Sequence, residues 1–103
     1  MIDNLIYQNL IYFIYMSKIS QEKIEKLKEE VLRVLYEEYP QFKYTYQVSD
    51  IMLRDNEFIL TLLNDLKKMN LVINIEESKG KNIKKKWSLT NAAYEKYKEL
   101  LNS

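Results

Sequence analysis

The chain has 103 residues, 47% apolar and 30% charged, with one glycine, one proline and neither cysteine nor histidine. That composition fits one globular domain, too apolar for a disordered chain and too poor in breakers for a many-turned β fold. The missing residue types exclude disulfides, thiolate metal sites and cysteine or histidine catalysis, and a net charge of +1 does not by itself specify a polyanionic partner.

Residues 1–16 are unusually apolar, with Ile2, Leu5, Ile6, Leu10, Ile11, Phe13 and Ile14 among three tyrosines. The run falls short of the roughly 20 residues of a membrane span and is broken by Asp3, Asn4, Gln8 and Asn9. It has neither the positive start nor the cleavage site of a secretory signal. Three readings stay open. It is an extra helix covered by the domain or by a second copy, a weak membrane-surface anchor lacking the usual Lys and Arg, or a stretch upstream of a start at Met16. The expected division is 1–16 as an N-terminal helix or extension, a candidate dimerisation segment, and 17–103 as the folded domain.

Ser17 and Ser20 offer N-caps for the next helix, whose apolar face is Ile24, Leu27, Val31, Leu35 and Tyr39, widened by Leu32 and Val34. Pro40 ends it. Phe42, Tyr44 and Tyr46 alternate with Lys43 and Thr45, which fits a very short strand beside a later hairpin, or aromatic packing in a loop. Thr45 is then expected to cap a second helix that turns Val48, Ile51 and Met52 inward. Arg54-Asp55-Asn56 breaks the pattern, and Asp55 or Asn56 caps a third helix over 56–69. Its buried stripe reads Ile59, Leu62, Leu63, Leu66 and Met69, with Phe58 at the edge.

Asn70 falls where the chain must leave that helix, a position that often needs positive φ, which Asn tolerates best after Gly. Leu71, Ile73 and Ile75 then alternate with Val72, Asn74 and Glu76. Gly80 marks the tip of a hairpin. The return strand sets Ile83, Lys85, Trp87 and Leu89 on one face and Lys84, Lys86 and Ser88 on the other. Thr90 caps a last helix carrying Ala93, Tyr97 and Leu100, flanked by Tyr94 and Leu101. Residues 79–86 hold five lysines and no acid, which leaves −4 on the rest of the chain.

Leu63-x-x-Leu66-x-x-x-Asn70-Leu71-Val72, the lysine-rich hairpin and Trp87-Ser88-Leu89-Thr90-x-x-Ala93 together resemble the winged helix-turn-helix superfamily, in the style of MarR-like and PadR-like transcription regulators. The resemblance covers residues 20–101. It departs from the family pattern at Asn70 and Ala93, where glycine is usual, and in using Lys where many relatives carry Arg in the wing. Lysine is a point charge, suited to phosphate rather than to bidentate base reading.

The resemblance implies a mainly α, α+β fold with a small β-hairpin, and a DNA-binding regulator as the function. The third helix would enter the major groove with Asn56, Thr61 and Asn64 toward base edges. Lys67, Lys68, Lys79, Lys81, Lys84, Lys85 and Lys86 would meet phosphates, the last five from a wing over 76–86. Double-stranded DNA is the expected partner, and the expected assembly is a cytoplasmic homodimer joined through its terminal helices, 1–15 and 90–101. No pattern calls for catalysis, a cofactor, a metal or a membrane. Against this stands residues 55–69, where Asp55, Glu57 and Asp65 outweigh Lys67 and Lys68. That balance is poor for a surface laid on a polyanion, and it keeps a second reading open: a winged-helix protein-interaction module that does not bind DNA.

Overall fold

The computed structural model describes residues 21–102. The apolar segment 1–16 and the caps Ser17 and Ser20 lie outside them. Helix α1 is described over 21–38. It is followed by strand β1 (Lys43–Tyr44), α2 (Thr45–Met52), α3 (Asn56–Lys68), β2 (Val72–Lys79), β3 (Asn82–Leu89) and α4 (Asn91–Leu101). The strands form one antiparallel sheet in the order β1-β3-β2. The alternating aromatics after Pro40 thus do supply a third strand, though only two residues of it.

One core joins the helices to the foot of the hairpin. It contains Val31 and Leu35 of α1, Val48 of α2, Ile59, Leu62, Leu63 and Leu66 of α3, and Val72, Trp87 and Leu89 of the strands. Trp87 is fully buried, and its indole Nε1–H donates to Thr45 Oγ1 at 2.9 Å. That bond is why Thr45 does not cap α2 as expected. Thr45 is the first residue of the helix, and its hydroxyl is committed to the wing's foot. Instead, Gln47 Oε1 accepts from the Tyr44 backbone N–H at 2.9 Å.

The other caps follow the sequence. Asp55 accepts from Phe58 N at 3.2 Å, and Thr90 Oγ1 accepts from Ala93 N at 3.1 Å. Asn70 takes φ 62°, its N–H reaches Lys67 O, and Leu71 N reaches Leu66 O. This pair of bonds is a Schellman ending, with Asn in the usual glycine place. Helix α2 ends the same way: Leu53 N bonds Asp50 O and Arg54 N bonds Ser49 O. Its left-handed residue is Leu53, at φ 55° and 89% exposed. A branched side chain there costs roughly 1–2 kcal/mol relative to glycine.

Two apolar residues expected inside, Ile51 and Met69, are exposed, and so are Ile73 and Ile75 of β2. Ser49 is buried in α2 in place of Ile51, and Met69 falls on the C-cap of α3, past its last packed turn. In β2 the register decides the outcome. Val72 lies opposite Leu89 and shares the core face with it, which sends Ile73 and Ile75 to the other face. Helix α4 buries no residue fully. Tyrosine contacts hold it to α1 and the turn after it: Tyr36 lies 5.1 Å from Tyr94 and 4.6 Å from Tyr97, and Tyr39 stacks on Tyr94 at 4.0 Å. The Tyr39 hydroxyl also donates to Asn91 Oδ1.

Candidate nucleic-acid interface

At 100° per residue, the buried positions of α3 fix what its outer face can show. With Ile59, Leu62, Leu63 and Leu66 inward, the opposite face carries Glu57, Thr61, Asn64 and Lys68. Asn56, Leu60 and Lys67 lie on the flank nearer the wing. The expected contact residues of α3 therefore split between two strips. Thr61, Asn64 and Lys68 share the outer strip, and Asn56 and Lys67 the flank. Thr61 Oγ1 donates to Glu57 O at 3.1 Å, so its hydroxyl has only acceptor capacity to offer a partner.

Two of the three acids in residues 55–69 have partners within the protein. Asp55 is the N-cap, where its charge also complements the helix dipole. Asp65 lies 3.5 Å from Lys28 Nζ of α1, on a flank turned away from the wing. Glu57 is left as the acid of the outer strip. A count over residues 55–69 could not find this, because Lys28 is 37 positions away from Asp65.

The hairpin shows the converse. Antiparallel register sets Glu76 opposite Lys85 and Glu77 opposite Lys84. Lys85 Nζ lies 3.9 Å from Glu76 on the face shared with Trp87, a loose and partly exposed pair. Lys86 Nζ lies 2.6 Å from Glu77 Oε1 on the other face, and Tyr44 Oη donates to Glu77 Oε2 at 2.5 Å. The Lys86 ammonium, then the Tyr44 hydroxyl, hold the Glu77 carboxyl below its ordinary pKa. The hydrogen bond to Glu77 holds Lys86 and Tyr44 above theirs. Lys84 Nζ is 6.0 Å from the ring centres of both Tyr44 and Tyr46, at the limit of a cation–π contact. Lys79 and Lys81 are exposed at the tip.

The five lysines thus do not share one face. By register Lys79, Lys84 and Lys86 take one side, Lys85 takes the other, and Lys81 sits in the turn. A groove of about 490 Å³ separates the wing from α3, with Asn56 and Leu60 on one wall, Ile83, Lys84 and Lys85 on the other, and Tyr46 at its end. Tyr46 is half exposed and stacks on Tyr44 with ring centres 5.6 Å apart. It was not among the expected site residues, and its place in the alternating aromatic run was the signal that could have found it. Among the described residues, no helix is long and apolar enough to cross a membrane.

No protein-family model matches the sequence, and no curated protein matches it. Solved structures do. A transcriptional regulator homologue from Pyrococcus horikoshii OT3 superposes with a TM-score of 0.62 at 12% identity, over 84% of this chain and 86% of that one. A PadR-family transcriptional regulator from Eggerthella lenta gives 0.58 at 14% identity, over 86% and 85%. A ZitR variant from Lactococcus lactis gives 0.57 at 19% identity over 73% of this chain, which spans only 49% of its length. The helix pair, the Schellman ending into β2, the paired hairpin and these superpositions define the chain as a winged helix-turn-helix fold.

Proposed function

We propose that the protein is a DNA-binding transcription regulator of the winged-helix type. Helix α3 enters the major groove, and the wing, residues 76–86, lies on the phosphate backbone or in the minor groove. The observation that carries this reading is the outer strip of α3. Thr61, Asn64 and Lys68 stand there with a single acid, Glu57, while Asp55 caps the helix and Asp65 faces Lys28 of α1 from another flank. Asn64 and Asn56 are the amides suited to adenine, Thr61 accepts, and Lys67 and Lys68 meet phosphates beside the helix. From the wing, Lys79, Lys81, Lys84 and Lys85 supply the sequence-independent attraction.

The partner is double-stranded DNA, and the acting species is a cytoplasmic homodimer that presents two α3 helices to half-sites about one helical turn apart. The exposed Leu100 and Leu101 of α4 support a dimer surface at the C-terminal helix, with the apolar segment 1–15 as its other component. Asn64→Ala is expected to cost about 1–3 kcal/mol at its preferred base and to relax preference there. Lys84→Ala weakens binding to all sequences alike. Binding curves on a randomised duplex pool decide between them, and equal uniform losses from both variants would remove α3 from base reading. The interaction-module reading is supported by Leu53, Ile73 and Ile75, apolar side chains left open to solvent; it predicts no gel shift at low salt.

A further inference from the structure

We infer that Glu77 is a specificity-determining residue of the wing: an internal carboxylate that holds on Lys86 the place a DNA phosphate would take. The inference rests on the duplex-binding reading above. Both carboxylate oxygens are engaged, one by Lys86 Nζ at 2.6 Å and the other by Tyr44 Oη at 2.5 Å. Tyr44 belongs to β1, so the carboxylate of β2 is gripped across β3 from the far strand of the sheet. The Lys86 and Glu77 side chains are each only 29% exposed.

The neighbouring pair is built differently. Lys85 and Glu76 stand 3.9 Å apart, with 34% and 56% of their side chains exposed, and among the described residues no hydroxyl donates to Glu76. A phosphate approaching Lys85 displaces a loose contact. A phosphate approaching Lys86 must break a short charge-assisted bond or come up against the glutamate's own charge. Lys86 is thereby withheld from backbone contact, which is the part of binding that every sequence offers. The base contacts of α3 are untouched, so the ratio of specific to non-specific affinity rises.

The test is a salt titration on one random duplex with the wild type, Glu77→Gln, Lys86→Gln and the double variant, each checked for folding by circular dichroism. Glu77→Gln is expected to steepen the slope of log affinity against log salt by about 0.9 and to tighten low-salt binding roughly 3- to 10-fold. Lys86→Gln leaves the slope unchanged, and with Lys86 gone Glu77→Gln adds nothing to it. Equal steepening in both backgrounds marks a long-range charge effect and overturns the inference, as does a loss of about 0.9 in Lys86→Gln alone. That single variant decides the matter even if Glu77→Gln fails to fold. A wild type that binds while Glu77→Gln stays on its slope removes this inference only; a wild type that binds no duplex removes the DNA reading with it.

Discussion

Helix α3 and the wing are the two elements that would meet a polyanion, and local pairing changes their charge in opposite directions. Counted along the sequence, α3 looks acidic and the wing strongly basic. In the fold α3 loses Asp55 to a cap and Asp65 to Lys28, whereas the wing has Lys85 and Lys86 drawn to Glu76 and Glu77. Glu76 and Glu77 lie just before residues 79–86; over both strands the hairpin holds five lysines and two acids, a net +3. A charge count misleads wherever pairing partners lie beyond its window, and it errs in either direction.

The two elements also differ in how they are anchored, and this gives the largest expected effect. Four residues bury α3, whereas the hairpin is held by Val72, Trp87 and Leu89 at its foot. Trp87→Ala should therefore cost about 3–5 kcal/mol in chemical denaturation. A loss under about 1 kcal/mol, the size of an ordinary surface change, would show the wing to be an appendage rather than part of the core. Thr45→Val probes the same joint more finely. It leaves the buried indole N–H without its acceptor and should cost about 1–3 kcal/mol, while Thr45→Ser should restore most of it.

The turn into α3 offers a change of opposite sign. Leu53 occupies a left-handed position and is almost fully exposed. Leu53→Gly should stabilise the domain by about 1 kcal/mol, with α3 binding unaltered. A destabilised variant would mean that Leu53 makes contacts its exposure does not show. The smallest effect is on the wing. The depressed pKa of Glu77, set first by Lys86 and then by Tyr44, makes its contribution complete above the ordinary carboxylate range. That contribution fades as pH falls through the lowered value. Glu77→Gln should lower thermal stability slightly at neutral pH and converge with the wild type in acid, which flattens the acid limb of stability against pH.

Much of the fold was legible in the sequence because its signals are local. Asp55 and Thr90 cap by their own hydroxyl or carboxylate, and Asn70 ends α3 because so few residues accept its φ. Helical stripes identified most of the core. Other placements are set by residues far along the chain. Ile73 and Ile75 are as apolar as Val72, and only pairing with β3 decides which face is buried. Thr45 looks like a cap until Trp87, 42 residues later, claims its hydroxyl. In the candidate site the residue types were visible, and what was hidden was which charges remain unpaired. That depends on Lys28 meeting Asp65 across two helices and on Glu77 meeting Lys86 diagonally across the hairpin.

The most direct test of the DNA-binding account is the affinity of the wild-type chain for a random duplex, measured across a salt series. Lys67, Lys68, Lys79, Lys81, Lys84 and Lys85 should each neutralise a phosphate, which predicts a slope of log affinity against log salt of about −5 per domain. Absent binding at low salt, or binding indifferent to salt, would contradict it.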